Sequence, residues 1–535
     1  MKRRHFLAAS ALPLLGCQAA PPIEGGFVGI NDERGHLLRA ASRSVPPPAS
    51  LHTTRVLILG GGVAGLSAAR ALRLRGMQDF ALLELEDSAG GNSRGSQING
   101  IACPLGAHYL PVPGEDAHDL QDLLEEFGVR QRVSGRWIYD ERHLCHSPQE
   151  RLFINGQWQD GLLPMQGMDA ATLADYQRFA RLVQQADAQE KFTLPVSKSP
   201  LAQAHRALDA MTFEVWLNQH QLASPALRWY LDYCCRDDYG AGLASVSAWA
   251  GLHYFASRHG FHAPGTESSA EEREAGVLTW PEGNGWLTQR LAAPLGERLH
   301  TGRVVLRVAT TRHGVEVDAL NTASQKVERW QAAQCILALP LFVAARVLEN
   351  PPPALVQAAS TLRYAPWLVA NLHLKAALHD RPGAAPSWDN VVYNAAHDPR
   401  FPGLGYVDAR HQSLQSVPGE TVLTYYRAFG LDPAQRQNLY DQPWRHWRDA
   451  VLAELSVPHP DLLDKATRLD VMRYGHAMSV PVPGIRSSAA LMALQKPLPA
   501  PWQSLQFAHS DLAGYSVFEE AFGQGARCGV RKELG

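Results

Sequence analysis

The stretch Thr54–Gly91, TRVLILGGGVAGLSAARALRLRGMQDFALLELEDSAGG, decides the fold. Arg55-Val56-Leu57-Ile58-Leu59 is a short apolar run suited to a buried parallel strand, and it leads directly into Gly60-Gly61-Gly62-Val63-Ala64-Gly65. A helix is predicted to start there. Gly60 allows the tight turn, Gly62 lets the backbone approach a pyrophosphate, and Gly65 lets the helix pack on the strand. The free amides at the helix start, Ala64 included, face the anion. A second apolar run, Phe80 to Leu83, is closed by Glu84, at the position where an acid accepts from the ribose hydroxyls of an adenosine. Glu86 is a second acid nearby, but Glu84 ends the run itself and precedes Gly90-Gly91. The stretch predicts an α/β fold with a Rossmann-like dinucleotide-binding domain, and by itself it allows NAD or FAD.

The 535 residues suffice for two or more lobes, each with its own core. A formal net charge of −2, with no basic cluster, argues against nucleic acid or an anionic lipid surface as a partner of the folded part. The first residues read as an address. Lys2-Arg3-Arg4 precedes an apolar run from Phe6 to Leu15 that is too short to span a bilayer and has the form of an export signal. Arg3-Arg4-His5-Phe6-Leu7 resembles the twin-arginine motif, and Leu14-Leu15-Gly16-Cys17 resembles a lipobox, which implies diacylation of Cys17. An exported, periplasmic protein held at the membrane by its N-terminal lipid is therefore expected. Gln18 to His52, rich in Pro, Gly, Ala and Ser, reads as a tether.

Six cysteines remain: Cys103, Cys145, Cys234, Cys235, Cys335 and Cys528. They are expected as thiols, because a chain that folds before export does so in a reducing compartment. His143-x-Cys145-His146 lacks a second pair at ligand spacing, so no metal is expected. Asn99-Gly100 and Asn155-Gly156 are hairpin signals, and Asp119 to Phe127 has helical spacing with its acids on the outer face. Asp169 to about Arg258 is mostly helical, with Thr212 as an N-cap. Within it, Tyr233-Cys234-Cys235-Arg236-Asp237-Asp238-Tyr239-Gly240 brings charge between apolar helices, as either a paired cluster or part of a pocket.

In their order, several landmarks resemble the flavin-containing amine oxidase and phytoene desaturase superfamily. They are the glycine loop, Glu84, Gly90-Gly91, Gly106-Ala107-His108, Pro281-Glu282-Gly283-Asn284-Gly285, the run ending at Pro340 and the closing Phe507-to-Gly525 segment. The resemblance implies noncovalent FAD, with Gly60, Gly62 and Gly65 at the pyrophosphate, Glu84 at the ribose, Gly90 and Gly91 at the diphosphate and Val305 at the adenine. Asn92 stands where many members have an arginine, and Arg94 is expected to reach the phosphates in its place. The family's closing acid is matched by Asp511, one position late, with Ser510 as the alternative. The lysine common after Pro340 is absent from Leu368-Val369-Ala370-Asn371. The implied domain order is a signal at 1–17, a linker at 18–52, FAD-binding parts at 53–110, 271–345 and 471–535, and an interleaved α+β substrate domain at 111–270 and 346–470.

The resemblance implies hydride removal from a substrate C–H to the flavin, most simply from the carbon of an amine. Tyr515 is expected to flank the ring, with His108 as a second catalytic candidate and Asp238 and Tyr474 as further pocket residues. The partner is then a small molecule, with oxygen or another acceptor taking the electrons. Two other readings stand beside this one: a desaturase or isomerase of a hydrophobic lipid or isoprenoid, and a non-catalytic FAD-fold binding protein.

Overall fold

The computed structural model describes residues 22–40, 45–145, 149–199, 201–258, 260–265, 276–394, 398–412 and 419–530. The export signal and Cys17 lie outside the described residues. Strand β1 covers Glu24–Phe27, helix α1 Asp32–Ala40, strand β2 Ser50–Leu59, helix α2 Val63–Leu74 and strand β3 Phe80–Leu83.

Val56 to Leu59 are fully buried because β2 lies inside a parallel array, between β3 and the strand Lys326–Leu337. The same sheet runs on through the antiparallel strands Gly314–Asn321 and Arg303–Thr311, and Leu505–Phe507 pairs with the end of Lys326–Leu337. Its strands come from three separated parts of the chain. Helix Phe518–Gly529 returns to cover the sheet by packing on α2. That approach needs glycine: a Cβ on Gly525 would lie 2.1 Å from the Ala64 carbonyl oxygen, and one on Gly529 2.5 Å from Ala71 Cβ. The Ser67 hydroxyl donates to Phe522 O at 2.7 Å and fixes the register of the two helices.

A second, eight-stranded sheet is built around the antiparallel pair Tyr364–Leu374 and Ala466–Ser479, and the helices Ala170–Gln189, Pro225–Tyr239 and Ala248–Ala256 pack beside it. Alternation along Tyr364–Leu374 sends Ala365, Trp367 and Val369 to one apolar cluster and Leu368, Ala370 and Leu372 to another. The hairpin signals are realised, since Asn99 and Gly100, and Asn155 and Gly156, all have positive φ at two-residue turns. Thr212 caps its helix by accepting from Val215 N.

Two boundaries differ from the sequence reading. Gln18 to His52 is not simply a tether: β1 pairs in parallel with Ala466–Ser479, α1 follows, and β2 begins at Ser50. Glycine-rich composition misled there. Gly25 has φ +131°, and a Cβ on it would sit 1.9 Å from Leu469 O, so glycine is what lets this strand lie against its neighbour. The strand Ala466–Ser479 crosses the boundary placed at 470, and all of it belongs to the eight-stranded sheet. The six cysteines are buried and form no disulfide among the described residues. No described helix is long and apolar enough to cross a membrane.

Candidate active site

A cavity of about 1130 Å³ runs between the two sheets. It exceeds the roughly 300–1,000 Å³ usual for a small-molecule pocket, which leaves room for a dinucleotide together with a substrate.

One end is formed by the nucleotide-binding unit. Gly60, Gly62, Ala64, Glu84, Gly90, Gly91 and Val305 all line the cavity. A Cβ built on Gly62 would meet only Gly91 Cα, at 3.9 Å, so the two glycines face each other across an open cradle at the start of α2. A cradle of this kind at a helix start would hold a pyrophosphate. Glu84, 7 % exposed, accepts from Gly61 N at 2.6 Å and from Glu86 N at 2.8 Å. Burial raises its pKa, and the two amides work in the opposite direction. Asp511 and Ser510 both line the cavity. Asp511 Oδ2 accepts from Leu341 N and Tyr364 OH, and Oδ1 lies 3.3 Å from His509 Nδ1, a residue that also lines the cavity. Burial would raise the Asp511 pKa, but His509, Tyr364 and Leu341 N together hold it below the usual carboxylate value. An open glycine cradle at a helix start, with the buried Glu84 carboxylate beside it, is a site that suits FAD.

Three residues assigned to the cofactor or the ring do not line the cavity. Gly65 is one: its missing Cβ would lie 1.9 Å from Gly60 O, so it serves the helix–strand packing expected of it and not the pyrophosphate. Arg94 does not line it either. Its guanidinium donates to Gly91 O and Gly29 O and sits 3.8 Å from Glu86, clipping the glycine turn to the N-terminal segment. Tyr515 is 1 % exposed and lies outside the cavity wall, with its hydroxyl donating to Glu520 at 2.9 Å. The buried Glu520 carboxylate needs donors and takes them from Tyr515 and Val196 N, so Ser516 to Glu519 reach the cavity in its place.

At the other end His108 lines the cavity, stacked on Tyr426 with ring centroids 4.3 Å apart and edge-on to Tyr109. Burial lowers its pKa to about 3, so the imidazole is neutral. Trp367, Tyr426 and Phe518 complete an apolar wall. Facing it are Asp237, Asp238 and Glu519 with one guanidinium, Arg258, which binds both Asp238 oxygens at 3.1 and 3.2 Å. Burial raises the pKa of Asp237 to about 7 and that of Glu519 to about 7. Glu519 is 3 % exposed and its Oε1 has no partner. Tyr474 also lines the cavity, donating to Leu105 O at 2.7 Å. Asn371 does not. It donates to Pro104 O at 2.8 Å, and Val369, two positions earlier on the same strand face, reaches the cavity.

Sequence reasoning missed Trp367, Tyr426, Arg258 and the functional reach of Glu519. Glu519-Glu520 at a helix start was the one visible signal, because acids there are ordinarily read as favourable to the dipole.

A dinucleotide-binding sheet and a glycine cradle that opens into one cavity with an aromatic and acidic far end are the marks of a flavin-dependent oxidoreductase. The chain belongs to the flavin containing amine oxidoreductase family, which it matches over residues 63–528, and FAD is its cofactor. An L-amino acid dehydrogenase of Synechocystis sp. is 25 % identical over 329 residues, 59 % of this chain and 63 % of that protein, so the chain spans less than two thirds of that relative's length. A putrescine oxidase solved with putrescine bound has a TM-score of 0.63 at 18 % identity, over 90 % of this chain and 98 % of that one. A fatty acid isomerase of P. acnes that produces CLA has a TM-score of 0.60 at 16 % identity, over 88 % and 97 %. At such identities the structural likeness establishes the fold.

Proposed function

We propose that the enzyme oxidises an amine whose nitrogen enters as a cation. The carrying observation is the surplus of buried carboxylates, Asp237, Asp238 and Glu519 against Arg258 alone, facing an apolar aromatic wall. Buried acids without counter-ions are costly, and an entering ammonium relieves that cost. Bound FAD supplies a two-electron acceptor for the substrate carbon. The chain's own groups do the rest. Glu519 and Asp237 hold the ammonium and take up its proton, leaving the neutral amine from which hydride can depart. Trp367, Tyr426 and the neutral His108 exclude water and orient the carbon.

The oxidation reading of this chamber also accommodates an amino acid, whose carboxylate would meet Arg258. The unpartnered Arg258 Nε is the observation on that side. Both Asp238 oxygens already lie on this guanidinium, and the remaining groups, Asp237 and Glu519, are acids that can ionise against an ammonium but not against a second carboxylate, which favours a simple amine. The same acids disfavour an acyl chain. Turnover with an artificial electron acceptor tests the choice across primary and secondary amines, amino acids and fatty acids. Carbonyl product from amines alone is expected, and turnover confined to amino acids or lipids would overturn the reading.

A further inference from the structure

The N-terminal segment ahead of β2 lies outside the residues matched by the family, 63–528, yet it closes the nucleotide end of the cavity. Ile30, Asn31, Asp32, His36 and Leu38 are part of the wall there, on the same side as Glu84, Glu86 and Val305. We propose that residues 30–38 are the outer wall of the adenosine half of the FAD site, a strap that must be lifted before the cofactor can leave.

The strap is fastened at both lobes. On the eight-stranded sheet β1 pairs with Arg468–Val471, and Val28 N donates to Val471 O at 3.0 Å. Arg473 lies over the Phe27 ring at 3.7 Å and pairs with Asp32 at 3.2 Å, and Tyr440 OH also reaches Asp32. On the nucleotide-binding side the bonds go to the loop that follows β3 and carries Glu84. Asn31 N donates to Glu86 Oε1 at 3.1 Å, and Arg34 donates to Leu85 O at 3.1 Å while pairing with Asp87 at 2.7 Å. Glu86 in turn gives its backbone NH to Glu84, so the strap and the ribose acid share one hydrogen-bonded loop. Arg94 adds a clip from Gly29 O to Gly91 O in the glycine turn. Leu38 packs on the apolar cluster that contains Val305.

These contacts give the segment a consequence for the ligand distinct from general fold stability. The loop Leu85-Glu86-Asp87 is held from outside by Asn31 and Arg34, and the nucleotide approaches Glu84 from the cavity. Loosening the polar contacts of the strap with Leu85-Glu86-Asp87 therefore exposes the adenosine side of the cavity, while β1 keeps its pairing on the eight-stranded sheet and Leu38 its apolar contact. A cofactor that lacks a covalent bond to the chain would be retained largely by such a closure.

The test uses the purified holoenzyme with Arg34→Ala and Arg34→Lys, reading FAD release by the rise in flavin fluorescence after transfer to excess cofactor-free acceptor protein. Thermal unfolding of each apoprotein is measured in parallel. Arg34→Ala removes one ion pair and one hydrogen bond, so FAD should leave about tenfold faster with the apoprotein midpoint unchanged. Arg34→Lys, which keeps the charge beside Asp87, should recover part of the retention. Release at the parent rate in Arg34→Ala would overturn the proposal. So would a fall in apoprotein stability that accounts for the faster release, because the segment would then serve the fold and not the cofactor.

Discussion

At the scale of single residues, the proposed amine chemistry rests on acids held where water does not compensate them. Glu519→Gln keeps the shape but removes a charge that a bound ammonium would meet. Hydrogen bonds to charged groups contribute about 1.5–3 kcal/mol, so KM for an amine should rise at least roughly tenfold while kcat changes less. Steady-state kinetics on an amine substrate check this, and a KM equal to the parent's would remove Glu519 from the binding site. Tyr515→Phe separates two readings of that tyrosine. Its hydroxyl donates to Glu520 away from the cavity wall, so the variant should lose stability with KM and kcat little changed. The residue pattern of the nucleotide end was legible in the sequence because strand, glycines and acid form one local unit. Glu84 and Gly62 line the cavity for the reasons that unit states. Tyr515 was not legible: its direction is set by the buried Glu520, whose need for donors is a tertiary fact. The same holds for Arg94, drawn to a carbonyl of the N-terminal segment.

Elements are positioned here by close backbone approach. α2 rests on β2 through Gly65 and on the last helix through Gly525, and a methyl at either position meets a carbonyl oxygen at 1.9 or 2.1 Å. Gly65→Ala and Gly525→Ala should each cost about 1–3 kcal/mol of stability through overpacking. Because both contacts sit beside the cradle, the variants should also be purified with less than stoichiometric FAD, read from the ratio of flavin to protein absorbance. Full occupancy with parent stability would contradict this placement. The helix Phe518–Gly529 was visible in the sequence as the closing segment, but β1 and α1 were hidden. A four-residue strand with two glycines and a mostly polar nine-residue helix carry no periodicity strong enough to find, and their partners lie more than 400 residues away at Arg468–Val471 and Arg473.

For the whole molecule, the acid chamber ties stability to pH. Asp237 and Glu519 have folded-state pKa values of about 7, above the ordinary 3.8 and 4.5. Their protonated forms are favoured by the fold, so their contribution is complete below about pH 4 and is lost as pH rises to 7, while the unfolded chain ionises freely. The apoprotein's thermal midpoint should therefore fall less between pH 5 and pH 7 in the Asp237→Asn, Glu519→Gln double variant than in the parent. Equal slopes would show that these acids are ionised in the empty chamber. The interleaving of distant segments was inferred from the order of landmarks, whereas the chamber's walls come from strands whose continuous burial gives no sign of which side faces a cavity.

The central claim is that a cationic amine delivers electrons to the flavin in this chamber. Anaerobic titration of the holoenzyme with a primary amine, followed in the visible flavin band, tests it directly. Bleaching is predicted at stoichiometric amine, weakened in Glu519→Gln and restored by excess amine. A band that stays oxidised with every amine but bleaches with an amino acid or a lipid would contradict the account.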